Sequence, residues 1–207
     1  MQQPNKSRAK FLVIQLRQIG DVLISTTVCE TLKKNFPNAQ VDYMVYPYAE
    51  AIVKNNPAID NIIVVPNGMG NGALRKMWSV LKFIRRQKYD YAIDIVNTPK
   101  SGWITALSGV QVTIGRESKK IRQRFYDIKV AEDKNFLADV AASYSVKNRL
   151  LLLTPIFKHL QEAPHPNPPS LAGEGRVGAP KWITHYQVYL TSNELTNARE
   201  VMKQAAI

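Results

Sequence analysis

Between residues 11 and 130 the chain alternates short β-rich apolar runs with segments of helical character. That alternation narrows the possible folds more than any other feature. Residues 11–16 (FLVIQL) form a short apolar run of the kind expected for a strand buried on both faces. Residues 21–36 read as a helix ended by Pro37-Asn38, and residues 41–46 as a second strand. A short helix over 49–54 closes at Asn55-Asn56-Pro57, and a third strand over 61–65 stops at Pro66. Residues 67–72 (NGMGNG) read as a flexible loop. The helix expected over 74–87 carries Leu74, Met77, Trp78, Leu81 and Ile84 on one stripe. A fourth strand over 89–96, a short helix over 100–107, a fifth strand over 111–114 and a sixth over 127–130 complete the series. Repeated β-α order implies a parallel sheet with helices on both faces, a Rossmann-like doubly wound α/β fold.

The remainder has a different character. Residues 136–160 are helix-prone and are expected to form one long helix, kinked or broken at Pro155. Residues 163–180 (APHPNPPSLAGEGRVGAP) are too rich in Pro and Gly to build a packed core. A last helix is expected over 192–206, with Ser192 as N-cap. The division that follows is a Rossmann-like domain over 9–161, a Pro/Gly-rich disordered insertion over 162–181, and a linker strand and helix over 182–207.

Charge is the informative part of the composition. The 207 residues carry 28 Lys and Arg against 16 Asp and Glu, a formal net charge of +12. Such a surplus suits a polyanion: nucleic acid, an anionic membrane surface or a phosphorylated substrate. A single cysteine, Cys29, excludes an internal disulfide, and with only three histidines no zinc site is expected. Cys29 reads as an inert buried thiol, and a reducing compartment fits. Apolar stretches are interrupted by charge well before the roughly 20 residues a membrane span requires. The apolar run after Lys10 is too short for a signal peptide and reads as the first buried strand.

The segment Arg17-Gln18-Ile19-Gly20-Asp21-Val22-Leu23 follows the first strand and opens the first helix. In open parallel sheets ligands sit outside the carboxyl ends of strands. Gly20 there lets a ligand approach the backbone closely, and Asp21 projects into the cleft from the first helical turn. A carboxylate so placed can take a proton from an attacking hydroxyl group, although an acid in a helix's first turn is also favoured by the macrodipole alone. The turn has one glycine, where a dinucleotide fingerprint needs three, and the later glycine run lacks the Lys-Ser/Thr of a P-loop. Trp78 and Trp103 read as core or interface residues.

The pattern FLVIQLRQIGDVLISTTVCETLKKNFPNAQVDYMV resembles the opening of the ADP-heptose:lipopolysaccharide heptosyltransferases, glycosyltransferase family nine. The resemblance continues through AIVKNNPAIDNIIVVP, KYDYAIDIVNTPKSGWITALSGVQVTIGRE and SVKNRLLLLTPIFKHL. It implies the acceptor-side half of a GT-B enzyme. In that frame Asp21 matches the family's general base and Gly20 the glycine that admits the acceptor. Asp94 matches an acid at the end of the fourth strand, and Lys100 and Ser101 match a Lys-Ser pair near the acceptor cleft. The sequence departs from the family at Asn97-Thr98-Pro99, where members usually carry a glycine. It departs again before Arg149, where a His and an acid-Arg pair are usual and only the arginine remains. The basic residues Arg116, Lys119, Lys120, Arg122 and Arg124, with Arg17 in the first loop, suit the phosphates of a lipopolysaccharide core, since guanidinium forks bind phosphate bidentately. Their plain alternative is a solvated charged loop.

The resemblance further implies no cofactor, ADP-heptose as donor, and the phosphorylated lipopolysaccharide core on lipid A as acceptor. It implies a cytoplasmic protein placed peripherally on the anionic inner membrane surface. No second alternating βαβ stretch follows residue 161, so a truncated enzyme, inactive alone or complemented by a separate chain bearing the donor domain, is the expectation. Two other classes fit the charge: a nucleic-acid-binding protein, for which no RRM, KH, zinc-finger or helix-turn-helix signature is present, and a small Rossmann-like nucleotide- or sugar-binding module.

Overall fold

A computed structural model describes residues 9–68, 72–117, 124–161, 180–189 and 191. Six strands, β1 (Lys10–Ile14), β2 (Gln40–Val45), β3 (Asn61–Val64), β4 (Tyr91–Asp94), β5 (Val112–Arg116) and β6 (Ile128–Val130), form one sheet. The helices are α1 (Ile19–Asn35), α2 (Glu50–Val53), α3 (Ala73–Gln87), α4 (Pro99–Leu107), α5 (Tyr144–Leu150) and α6 (Thr154–Gln161). Every pairing is parallel and the strand order is β3-β2-β1-β4-β5-β6. This is the doubly wound arrangement that the β-α alternation predicts.

β1 lies at the centre, between β2 and β4. Phe11, Leu12, Val13 and Ile14 are all fully buried, which is why the strand reads as a continuous apolar run and not as an alternation. The two-residue period still sorts them. Phe11 and Val13 face the layer of α1, α5 and α6, and Phe11 lies 5.6 Å from the ring of Phe36 and 5.5 Å from that of Tyr91. Leu12 and Ile14 face the layer of α3 and α4, against Leu81, Ile84 and Ile104. Replacing such a fully buried aromatic with alanine costs about 3–5 kcal/mol, so Phe11 alone carries a large fraction of a domain's net stability.

Several expectations need correction. The fourth strand ends at Asp94, not at residue 96. The Asp94 carboxylate accepts hydrogen bonds from the backbone N–H groups of Val96 (2.9 Å) and Asn97 (3.0 Å), and that local turn draws the chain out of the sheet. The long helix over 136–160 is three pieces: turns up to residue 140, then α5, then a 3-10 turn (Leu151–Leu153) leading into α6. Leu137 adopts a left-handed φ of 54°, and Ser143 restarts the helix by accepting from Val146 N–H at 3.3 Å. Pro155 lies in the first turn of α6, directly after the 3-10 turn, so the α-helical run is broken just before it, where the missing N–H would otherwise have bonded the Leu151 carbonyl.

The apolar stripe of α3 is also narrower than expected. Leu81 and Ile84 are buried, whereas Leu74 is 76% exposed and Trp78 62% exposed. Trp103, 58% exposed, is likewise no core residue. Cys29 is fully buried, and burial raises its pKa well above the ordinary thiol value, which keeps it an unreactive thiol.

Residues 180–189 have no regular structure and lie against α1. Asn35 and Lys181 exchange hydrogen bonds at 2.9 and 2.8 Å, and Ile183 N–H donates to Thr31 Oγ1 at 3.0 Å. Trp182 wedges edge-on against Phe136 (5.2 Å) and Phe157 (5.1 Å). The insertion over 163–180, apart from residue 180, and the helix expected over 192–206 lie outside the described residues.

Candidate active site

The sheet order reverses between β1 and β4, and a cleft of about 200 Å³ opens at their carboxyl ends. Its lining is Gln15 and Arg17 from the loop after β1, Asp21 from α1, Ile95 and Val96 after β4, Arg116 at the end of β5, and Asn148 and Arg149 from α5. A crevice at this reversal is where doubly wound sheets bind ligands, because neighbouring loops diverge to opposite faces there.

Asp21 sits in the first turn of α1, with a third of its side chain exposed to the cleft. Its carboxylate is paired with the Arg149 guanidinium. Arg149 is fixed by two further bonds, donating from Nε to Ser25 Oγ (2.8 Å) and from Nη1 to the Ser145 carbonyl (2.7 Å). Ser25 in turn donates to the Asp21 carbonyl at 2.7 Å and accepts from Gln15 Nε2 at 2.7 Å. The result is a chain Gln15–Ser25–Arg149–Asp21 drawn from β1's exit loop, α1 and α5. Gln15 is buried, and its Oε1 has no hydrogen-bond partner among the described residues. A buried acceptor on a cleft wall suits a hydroxyl donor from a ligand.

The cleft is short of negative charge. Three guanidinium groups, Arg17, Arg116 and Arg149, share it with one carboxylate, Asp21. Burial strips water from Arg116 and Arg149 and lowers both from the ordinary arginine value, and each guanidinium also disfavours the charge of a neighbour. Asp21 partly offsets this at Arg149. Desolvated cations with too few counter-ions favour an anionic ligand, and the fork geometry of arginine favours phosphate or carboxylate. Arg116 is held by donating to the Asn148 carbonyl. Among the described residues no group of His, Cys, Asp and Glu side chains could hold a metal ion.

The loop between β4 and α4 forms the opposite wall. Asp94 is fully buried; besides the two backbone donors it accepts from the Tyr126 hydroxyl at 2.6 Å. Burial raises its pKa, with those hydrogen bonds acting in the opposite sense. Asp94 therefore braces the loop from behind. Asn97 takes a left-handed φ of 54°, a conformation usually given to glycine and tolerated by asparagine. That conformation lets the loop close without a glycine. Thr98 and Ser101 form a reciprocal capping box: Thr98 N–H donates to Ser101 Oγ at 2.9 Å, and Ser101 N–H to Thr98 Oγ1 at 3.2 Å. Ser101 is buried in that role, not displayed to the cleft. Lys100 is partly exposed, donates to the Pro66 carbonyl at 2.7 Å, and lies 4.8 Å from the centre of the Tyr46 ring. Desolvation lowers its pKa.

The structure thus brings Arg17, Asp21 and Arg116 into one cleft, whereas Asp94 and Ser101 are buried behind it and Lys100 reaches Pro66 and Tyr46, so none of these three lines it. Gly20 lies at the start of α1, and a methyl group added there would meet nothing within 4 Å. Its packing places no demand for glycine on the chain itself. Arg124 is exposed and outside the cleft lining, and Lys119, Lys120 and Arg122 lie outside the described residues. Gln15 and Ser25 have no sequence signal of their own. Arg149 has one, the arginine retained in the family-like helix, but nothing in its spacing reveals that it reaches Asp21.

No family model matches the chain. Similarity to curated proteins is nevertheless consistent. The chain is 24% identical over 143 residues to lipopolysaccharide heptosyltransferase 3 of Escherichia coli, covering 68% of this chain and 41% of that protein. It is 32% identical over 94 residues to the lipopolysaccharide heptosyltransferase 3 of strain K12, covering 44% and 26%. Among solved structures, a family 9 glycosyl transferase from Veillonella parvula superposes with a TM-score of 0.70 at 16% identity, over 96% of this chain and 50% of that one. The E. coli ADP-heptose heptosyltransferase II superposes with a TM-score of 0.63 at 17% identity, over 93% and 50%. The chain thus spans at most about half the length of each of these proteins. The chain is therefore similar in sequence to lipopolysaccharide heptosyltransferases and shares its fold with half of a family 9 glycosyl transferase structure.

Proposed function

We propose that these residues form the acceptor-binding half of an inverting heptosyltransferase that uses ADP-heptose and glycosylates the phosphorylated inner core of lipopolysaccharide. The observation that carries this reading is the cleft at the β1–β4 reversal, where Asp21 stands beside Arg17, Arg116 and Arg149. The guanidinium groups hold an acceptor phosphate. Asp21 takes the proton of the acceptor hydroxyl as its oxygen forms a bond to the anomeric carbon of the donor, and the anomeric bond to ADP breaks on the opposite side. Gln15 Oε1 accepts a hydrogen bond from an acceptor hydroxyl. An arginine paired with the base has two uses. It holds the carboxylate in place, and it releases that carboxylate when a phosphate competes for the guanidinium.

The donor diphosphate is assigned to a second half, in the same polypeptide or in a separate chain. The acceptor's lipid anchor places the protein peripherally on the cytoplasmic face of the inner membrane. No helix among the described residues is long and apolar enough to cross a membrane.

The test is binding first and transfer second. Calorimetry with deacylated, heptose-deficient inner-core oligosaccharide should give saturable binding that weakens strongly when the phosphates are removed. Transfer from ADP-heptose should then require a donor-binding half added in trans. Binding that is indifferent to the phosphates, or robust transfer by these 207 residues alone, overturns the respective part of the reading.

A further inference from the structure

The outward face of α3 is built unlike the surface of an ordinary core helix. Its inward face is already filled by Leu81 and Ile84, with Met77 packed against the same cluster. Leu74 and Trp78 are four residues apart and so share one shoulder of the helix, yet both point to solvent. Around them stand Arg75, Lys82, Arg85, Arg86 and Lys88, which with Trp78 line a groove of about 760 Å³. Residues 73–88 contain no acidic residue. Arg85 also donates to the Leu107 carbonyl at 2.8 Å, which sets the exposed end of α4, with Leu107 and Trp103, in the same layer.

We infer that this α3 face is a docking surface for an anionic lipid bilayer, with Leu74 and Trp78 entering the headgroup region and the cations of α3 meeting lipid phosphates. Charge complementarity selects the occupant: a wholly basic face has no counter-charge among the described residues and fits a continuous anionic sheet. The aliphatic Leu74 separates a bilayer from nucleic acid, because a nucleic acid offers no apolar layer for an exposed leucine to enter. A tryptophan at the shoulder between apolar and cationic groups matches the water–lipid boundary, where an amphipathic indole is favoured. Docking itself stands on α3 alone. Only its use, holding the cleft near a lipid-anchored acceptor, rests on the proposed function.

The experiment is co-sedimentation of the whole chain with phosphatidylcholine vesicles, with and without phosphatidylglycerol. Binding is expected only with the anionic lipid, and it should fall steeply as salt approaches about 1 M, where charge screening acts over about 3 Å. Reversing three charges together (Arg75→Glu, Lys82→Glu, Arg86→Glu) should lower the partition coefficient by about 100-fold or more. Leu74→Ser with Trp78→Ser should lower it by at least about tenfold, with charge unchanged. The salt series on the unaltered protein keeps the test decisive if a variant fails to fold. Absence of vesicle binding overturns the inference, as does binding unaffected by both sets of substitutions. So does an α3-dependent affinity for duplex DNA or for a second copy of the chain without vesicle binding. Binding of the deacylated oligosaccharide should be unchanged in the α3 variants. Its loss in the unaltered protein, with vesicle binding intact, counts against the proposed function and not against the docking face.

Discussion

Arg149 on α5 closes an ion pair with Asp21 on α1, and the two residues are separated by 128 positions in the chain. The pair sits at the mouth of the cleft, with the arginine side chain 12% exposed and the carboxylate 33%. Asp21→Asn should therefore separate binding from chemistry. Removing one negative charge from a cationic cleft leaves phosphate binding equal or tighter, while transfer in the complete system falls by about 10²–10⁴-fold, the range for loss of a general base. Calorimetry and a radiolabelled transfer assay on the same variant measure the two effects. Arg149→Ala should do the opposite to binding and weaken it. Asp21 can turn to water, but Arg149 also bonds the buried Ser25 and the Ser145 carbonyl, so the stability loss should be about 1–3 kcal/mol.

Gly20 offers a cleaner test of close approach. A methyl group there meets no protein atom, and alanine is a better helix former than glycine. Gly20→Ala should leave the thermal midpoint unchanged or slightly raised. If the acceptor passes against this backbone, oligosaccharide affinity should nevertheless drop by about tenfold or more, since an atom placed in a contact must displace the ligand. Unchanged affinity would remove Gly20 from the binding surface.

Gly115 behaves differently. An added Cβ would lie 2.6 Å from ring atoms of Tyr126, a residue that is itself buried and tied to Asp94 through its hydroxyl. Gly115→Ala should destabilise the protein by about 1–3 kcal/mol, read by urea unfolding. It should also loosen the β4–α4 loop, because the ring that must move is the one that braces Asp94.

Asp94 predicts a pH dependence. Burial raises its folded pKa above the unfolded value, so the folded state binds the proton more tightly than the unfolded chain. Its contribution is fully present below the unfolded pKa and is lost as pH rises through the folded one. Relative to Asp94→Asn, the unaltered protein should lose stability as pH rises from about 4. A difference between the two that stays flat with pH would contradict this. Denaturant midpoints taken across the acid range measure it.

Much of the architecture is legible in the sequence because parallel strands buried on both faces cannot hide their composition. FLVIQL reads as β1 for the same reason that Phe11 to Ile14 are fully buried. The strand end at Asp94 is not legible in that way. Residues 95 and 96 are as apolar as those before them, and what stops the strand is a side-chain turn whose partners become visible only in three dimensions. The stripe on α3 misleads for a related reason. Helical spacing puts Leu74 and Trp78 near Leu81 and Ile84, but only the second pair is buried. In the cleft, the Gly20-Asp21 loop announces itself. Arg149 and Gln15 do not, since their positions follow from the docking of α5 and from the alternation of side chains along the exit of β1.

The distance in sequence between Asp21 and Arg149 has a kinetic meaning. A chain that has emerged only as far as α4 holds the β1 loop and its acid but no cleft, because the groups that complete the cavity come from β5 and α5. Long-range pairings of this kind form slowly, since loop closure must precede the contacts that reward it. Acceptor affinity is therefore a reporter of the finished fold: it should arise late during refolding, after helical signal has recovered, and vanish early when α5 frays.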